Sequence, residues 1–352
     1  MKELEGFLKC VCNLERPPWN SCELKHLSTR KITGGLTNTL YLVEYSEGSI
    51  HDHLLMRIFG KSDGLLNREV ENVIYRHLSE SSISPKIIGI YPWGRLEEFL
   101  VDRKPLSSGK DMVHVSDDLD CVDLIAKSLR SLHSVKLDLD TVSASANIFE
   151  ILPKWLSLAS KYAVSPSVET LQTEINFINH ELREKLLNHP RVKASVLCAR
   201  ILREVLCHND MLAGNIMMHE CDKTVRLIDF EYAGFNHAAA DIANVFTAVC
   251  ESQMLAGQPQ DVRRNFPSET IQKHFLESYL GQTVNDSGEL ALLLTLVSGF
   301  AMADELRWTI WGIIQANQST VDFDYVGYYH SRFSAYRDYV EMFKTRIARN
   351  LL

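Results

Sequence analysis

Residues 206–218 read LCHNDMLAGNIMM. Apolar pairs flank a His-Asn-Asp triplet, and a second Asn stands five residues after the Asp. A segment this apolar belongs in an interior, where a polar group without a partner costs ~1–3 kcal/mol. His208, Asn209, Asp210 and Asn215 therefore need partners or a ligand. A second apolar run, VRLIDFEYAG (225–234), reads as a strand that closes on Asp229, fourteen residues after Asn215. A chain that carries both must bring two buried segments to one edge and hold their polar ends there.

The order Asp210, Asn215, Asp229 fits phosphoryl transfer. A loop carboxylate takes the proton of the attacking hydroxyl, and an amide oxygen and a second carboxylate bind Mg2+. HND occupies the place of a protein kinase His-Arg-Asp, and DFE (229–231) that of Asp-Phe-Gly. One Asn-Asp or Asp-Phe pair alone is an ordinary loop feature; the signal lies in the full spacing.

The 352 residues suit two lobes, each with its own core. Residues 26–46 read as two strands around a Gly-Gly turn, 53–59 as a third, 64–80 as a helix and 85–101 as two more strands. Beyond residue 103 the pattern turns helical: 124–136, 151–163, 168–189 and most of the chain after 240. The expected division is a β-rich lobe over 1–102, with a connecting segment at 98–103, and an α-rich lobe over 103–352.

The 45 acidic against 37 basic residues give a formal charge of −8, which argues against nucleic acid or an anionic membrane as the main partner. MKELEGFLKCVCNLERPPW lacks the apolar core of a secretory signal. LALLLTLVSGFAMA (290–303) is shorter than the ~20 residues of a membrane span and reads as a buried helix. The eight cysteines are scattered, without CxxC pairs, and read as free thiols in a cytoplasmic chain with no stable membrane insertion.

CHNDMLAGNIM followed by VRLIDFEYAGFNHAAADIANVF resembles the choline/ethanolamine kinase family. GGLTNTLY (34–41), LLMRIFG (54–60), NREVENVIYRHLS (67–79) and WTIWGIIQANQSTVDFDYVGYYHSRFSAY (308–336) extend the likeness over nearly the whole chain. The resemblance implies an α+β, bilobal protein-kinase-like fold with a small β-rich N-terminal lobe and a larger α-helical C-terminal lobe. It implies ATP and Mg2+ as cofactors, an amino alcohol (ethanolamine or choline) as substrate, and a place in phospholipid synthesis. A homodimer is compatible with it.

Residue by residue, the resemblance gives Gly34, Gly35, Thr37, Asn38 and Thr39 the ATP phosphates, although Gly-Gly alone is also a hairpin turn. Arg57 would reach the phosphates and Glu69 would pair with it, against the plainer reading of Glu69 as a solvated helix face. Glu98, Phe99 and Leu100 would receive the adenine, and Leu212 and Asp229 complete the ATP set. Asp210 is the catalytic base, Asn215 and Asp229 the metal ligands, and His208 and Asp241 the supports of the loop. Glu231 joins Asp210 on the substrate side.

Asp304, Trp308 and Trp311 stand at i, i+4 and i+7, on one helix face. Such a stripe is ordinarily core. The resemblance makes Trp308, Trp311, Tyr325 and Tyr328 an aromatic wall for a cationic head group, held by cation–π attraction. The chain departs from the family pattern at two places. NVFTAVCES (244–252) puts Ala248 where the family carries Glu, and ADELRW (303–308) replaces Ser-His-Phe before the first Trp. Asp304 or Glu305, with Glu251 as second candidate, is expected to supply the missing charge. Leu212 and STVDFDY (319–325) lean toward the ethanolamine branch, Tyr325 toward choline. Two rivals share the Asp–Asn–Asp core: a methylthioribose or aminoglycoside phosphotransferase, which needs no Trp pair, and a nucleotide-binding pseudokinase, which needs no intact Asp210.

Overall fold

A computed structural model describes residues 2–32, 38–60, 64–137, 144–162, 165–255 and 265–351. The chain divides into two compact units, Met1–Arg103 and Lys104–Leu352.

In the first unit, helix α1 (Lys2–Val11) precedes strands β1 (Leu27–Ile32), β2 (Asn38–Glu47) and β3 (Ile50–Phe59), helix α2 (Arg68–Glu80), and strands β4 (Ile87–Tyr91) and β5 (Gly94–Glu98). The strands form one antiparallel sheet in the order β1-β2-β3-β5-β4. Alternation along each strand puts Val43, Tyr45, Leu54, Met56 and Leu96 on one face. They bury there with Val11, Leu14 and Trp19. The sequence reading did not anticipate α1, although Leu4, Phe7, Leu8 and Val11 stand at i, i+3, i+4 and i+7. β5 lies so close to β3 that a Cβ on Gly94 would come within 1.9 Å of the Arg57 carbonyl oxygen.

The other face carries charge. Asn67 caps α2 by accepting from the Glu69 and Val70 amides at 3.1 and 3.2 Å. The helix then buries Glu71, Ile74, Tyr75 and Leu78, while Val73 is exposed. Arg95 donates to Glu71 at 2.8 Å and to Glu97 at 2.6 Å, Arg57 donates to Glu97 at 2.8 Å, and Arg68 donates to Glu71 at 2.6 Å. The Tyr75 hydroxyl completes Glu97 at 2.9 Å. Burial alone would raise the Glu97 carboxyl, but the two guanidinium groups outweigh it and bring the group from 4.5 to about 2.

Because its folded value lies below its unfolded one, Glu97 contributes stability above pH ~4.5 that is lost as the pH falls toward 2. Glu97→Gln would leave two buried guanidinium groups undercompensated and is expected to cost ~3 kcal/mol or more. It should also flatten the acid limb of the wild-type stability curve. Chemical denaturation from pH 7 to pH 3 measures both; a variant as stable as wild type at pH 7 would show that the buried network contributes nothing.

The second unit runs through β6 (Lys104–Pro105), α3 (Gly109–Met112), α4 (Cys121–Leu132), α5 (Ile148–Ala159) and α6 (Val168–Ile178), which continues as a π-helix over Asn179–Leu186. It continues with α7 (Pro190–Ala194), α8 (Val196–Ile201), β7 (Glu204–Cys207), β8 (Ile216–His219), β9 (Thr224–Leu227) and β10 (Gly234–His237). Helices α9 (Ala238–Leu255), α10 (Glu269–Leu280), α11 (Ser287–Gln318) and α12 (Tyr325–Asn350) complete it. α11 is buried all round from Leu292 to Ile314, among α12, α9 and α5. At Gly312 a Cβ would meet Tyr329 Cβ at 2.8 Å and Tyr328 Cδ1 at 2.9 Å, so the missing side chain lets α12 approach α11. No described helix is long and apolar enough to cross a membrane. Two small antiparallel sheets, β10-β7 and β6-β8-β9, hold the loops that the sequence singles out.

Candidate active site

β7 pairs with β10, Cys207 opposite Gly234, and β8 pairs with β9. Segments 208–215 and 228–233 thus emerge side by side, tied by the Ile228 amide donating to the Asn215 carbonyl at 3.0 Å. Asn209 turns the chain with φ +63°, a conformation Asn tolerates better than most residues. Its side-chain amide donates to the Tyr232 carbonyl at 3.1 Å, and its oxygen accepts from Asn236 at 3.0 Å.

Asp241, at the start of α9, holds this turn from behind. Its carboxylate accepts the His208 amide at 2.6 Å and the Asn209 amide at 2.7 Å, and meets His133 Nε2 at 3.0 Å. Burial would raise its carboxyl; His133 and His208 outweigh that and lower it. His208 is the reverse case: burial lowers it despite Asp241, so the ring is neutral. Its Nε2 meets the Ile228 carbonyl at 2.9 Å and its Nδ1 lies 3.3 Å from the Asp210 amide. One neutral tautomer, protonated on Nε2, satisfies both contacts. His208 is thus used up bridging the two loops.

Asp210 is buried. Oδ2 accepts from Asn215 Nδ2 at 3.1 Å, while Oδ1 is shielded from solvent without a hydrogen-bond partner. Asn215 Nδ2 also donates to the Asp210 carbonyl at 2.8 Å, which turns the amide oxygen of Asn215 away from the loop. Burial first, then the charges of Glu251, Asp229 and Glu231, push the Asp210 carboxyl well above its usual range. Asp229 has φ +64°, which breaks the strand before the carboxylate. β9 ends at Leu227, short of the strand end expected at Asp229. Two carboxylates and an amide oxygen make a hard donor set that suits Mg2+, and a cation would relieve the repulsion raising Asp210.

The aromatic wall forms. Trp308 and Trp311 stand 5.4 Å apart centroid to centroid, and Trp311 lies 5.8 Å from Tyr325 and 5.5 Å from Tyr328. Tyr232 joins them, 5.3 Å from Trp308, its hydroxyl accepting from Trp311 Nε1 at 2.7 Å. Trp308 Nε1 is buried without a partner.

The two acids expected to supply charge at this wall, Asp304 and Glu305, are both paired with arginines. Asp304 accepts from Arg307 at 2.6 Å, from Thr247 at 2.8 Å and from Asn244 at 3.0 Å. Arg307 in turn donates to the Asn209 carbonyl at 2.7 Å and covers the Trp308 ring at 4.6 Å. Glu305 is fully buried and pairs with Arg332 at 3.0 Å. Arginines three residues and one helix away have claimed both carboxylates. Glu251 also reaches Arg332, and it accepts from the Tyr328 hydroxyl at 3.2 Å.

In the first unit the expected Arg57–Glu69 pair is not made. Glu69 is exposed, two residues and some 200° around α2 from the buried Glu71, and Arg57 turns to Glu97 instead. Asn38 accepts from Arg68 at 3.0 Å, and Thr39 lies on β2. Glu98 uses its amide and carboxylate on Lys86, at 2.8 and 3.0 Å; Phe99 and Leu100 follow it outside the sheet. Leu212 donates its amide to the Asp210 carbonyl at 2.9 Å. Gly34, Gly35 and Thr37 lie outside the described residues. Sequence reading missed Tyr232, Asn244, Glu97, Arg307 and Arg332. Tyr232 and Arg307 had a visible signal: each adjoins a residue already assigned to the site.

A carboxylate loop, an amide five residues on and a second carboxylate beyond a short hairpin, following an antiparallel sheet, define a phosphotransferase of the protein-kinase-like fold. The choline kinase from Cryptosporidium parvum Iowa II has that fold: TM-score 0.79, 25% identity, 99% of this chain and 98% of that one. The choline/ethanolamine kinase family model matches residues 29–337, and the chain belongs to this family. It is 31% identical to the Arabidopsis thaliana protein named "Probable choline kinase 1", over 89% of this chain and 87% of that one. It is 29% identical to human ethanolamine kinase 1, over 94% of this chain and 71% of that one. The activity is ATP-dependent phosphorylation of choline or ethanolamine, a reaction of phospholipid biosynthesis.

Proposed function

We propose that Asp210 accepts the hydroxyl proton of the amino alcohol while Asn215 and Asp229 hold Mg2+ on the ATP phosphates. The observation that carries this reading is the buried, unpartnered Oδ1 of Asp210 on a loop fixed by Asp241. A carboxylate so placed costs stability unless it meets a ligand. The metal, when bound, neutralises charge developing on the transferred phosphoryl group. Asn215 orients Asp210 through Nδ2 and has its amide oxygen left for the metal. Arg57, held by Glu97, presents its guanidinium to phosphate oxygens. Asn38 and Thr39 are assigned to the phosphates and segment 98–100 to the adenine, following the family resemblance.

Ethanolamine is the acceptor this reading favours over choline. Arg307 already occupies a face of Trp308 that a trimethylammonium group would use. A carboxylate and a tyrosine hydroxyl, Glu251 and Tyr328, offer acceptors to an ammonium that has N–H groups to donate. All eight cysteines are free, as suits a reducing cytoplasm.

A coupled assay of ADP release with ethanolamine, its N-methylated forms and choline tests the reading. Turnover is expected to require an amino alcohol, to stop with EDTA and return with Mg2+, and to give the highest kcat/KM with ethanolamine. A rising kcat/KM with each added methyl group would reverse the acceptor assignment. Turnover undiminished by EDTA would remove the metal.

A further inference from the structure

The residues before and after Asp210 are held from a single point on α11. The Asn209 carbonyl accepts from Arg307 at 2.7 Å, and the Met211 amide donates to the side-chain oxygen of Asn244 at 2.5 Å. Arg307 and Asn244 meet on one carboxylate. Arg307 donates to Oδ1 of Asp304 at 2.6 Å, and Asn244 Nδ2 donates to its Oδ2 at 3.0 Å. Two chains of hydrogen bonds therefore run from Asp304, one to each side of Asp210. Thr247 steadies their origin by donating to Oδ2 at 2.8 Å.

The spacing on both helices makes this arrangement. Asp304 and Arg307 stand at i and i+3 on α11, and Asn244 and Thr247 at i and i+3 on α9. All four are buried. Stability alone gives little reason for the pair, because apolar residues of similar volume would serve the interior as well or better. Arg307 even leaves its Nε buried without a partner. What a buried polar network supplies is direction, since its members fit in one arrangement only. Here the direction is given to the loop that carries Asp210. The same stretch of α11 carries Trp308, whose ring lies 4.6 Å below the Arg307 guanidinium.

We propose that Asp304 and Arg307 are positioning residues for Asp210, an ion pair on the helix of the aromatic wall that sets where the carboxylate lies relative to that wall. The inference rests on the reading of Asp210 as the base. Both residues act through the loop and not on the acceptor: Arg307 through the Asn209 carbonyl, and Asp304 through Arg307 and Asn244.

The test is a cycle with Asp210→Asn, read by kcat, KM and melting temperature. Asp304→Leu combined with Arg307→Met removes both charges together, so no unpaired charge is left inside. It is expected to lower kcat about 10- to 100-fold, as a misplaced catalytic group does, with KM for ATP near wild type. In the Asp210→Asn enzyme the same two changes should cost less than about 2-fold, because no base is left to aim. A pair that served only the fold would cost as much in both backgrounds. If the double variant does not fold, the isosteric Asp304→Asn carries the same cycle: it turns an amide nitrogen toward Arg307 or Asn244 and breaks one chain.

Wild-type kcat in the variant without the pair would overturn the proposal, as would an equal loss with and without the Asp210 carboxylate. An Asp210→Asn enzyme as fast as wild type would overturn the base reading first and this proposal with it. A slow Asp210→Asn enzyme beside an indifferent Asp304–Arg307 variant overturns this proposal alone.

Discussion

Asp210→Asn is expected to lower kcat by about 10²- to 10⁴-fold, the range for loss of a positioned general base, with KM for ATP near wild type. The change keeps the volume of the side chain and an oxygen for Asn215 Nδ2, which now meets Oδ2 at 3.1 Å. It removes the group that takes the proton. It should also make the metal-free protein more stable. Burial and the charges of Glu251, Asp229 and Glu231 hold the Asp210 carboxyl well above its usual 3.8 in the folded chain. A carboxyl raised on folding contributes stability below its unfolded value and loses that contribution as the pH rises through the folded one. At neutral and alkaline pH the wild type therefore bears a penalty that the asparagine variant escapes. Parallel kcat and Tm measurements check this. A slow enzyme that melts higher separates chemistry from folding, and wild-type turnover would take Asp210 out of the reaction.

Asp241→Ala is expected to cost ~3–5 kcal/mol, as when one partner of a buried charged pair is removed. It should also lower kcat in whatever protein still folds. Two backbone amides and His133 lose their acceptor in a site without water access. The turn at Asn209 then loses both of its amide contacts to Asp241 and keeps the Met211 amide bond to Asn244 on α9, so the aim of Asp210 loosens. Asp241→Asn should be little better, because an amide nitrogen would face donors on at least one side. Denaturant titration combined with kcat at a temperature where the variant is folded checks the two effects. A variant that folds less well but turns over at the wild-type rate would mean that the loop keeps its shape unaided.

The pairing of the two polar loops was legible in sequence because Asp210, Asn215 and Asp229 interrupt apolar runs, and such interruptions need a reason. The wall was legible only through the family resemblance, since the spacing that puts Trp308 and Trp311 on one helix face reads by itself as core. The charge partners were not. Whether Arg57 meets Glu69 or Glu97 depends on the β3–β5 register, which puts Arg57 opposite Arg95 and Glu97 two residues along the same face. A Glu in a strand next to an Arg reads as solvated surface until a helix is laid over it, as α2 is here. Asp304 could have been read correctly, because Arg307 follows at i+3. Glu305 could not: its partner, Arg332, comes from a different helix. Helix α1 was missed for a weaker reason, its stripe being clear but short and followed at once by an irregular stretch.

Helix α11 has a consequence for how this kinase can change over evolutionary time. Its 32 residues extend for ~48 Å. Within two turns it carries both the Arg307 contact to the Asn209 carbonyl and the two indoles of the wall. Drift toward a bulkier or differently charged alcohol cannot freely use positions 304–311, because the same backbone segment sets the aim of Asp210. The permissive routes run through Phe323, Tyr325 and Tyr328 on the far side of the wall. Lineages of this enzyme that adopt new acceptors should therefore diversify there first, while Arg307 and the two indoles are retained together.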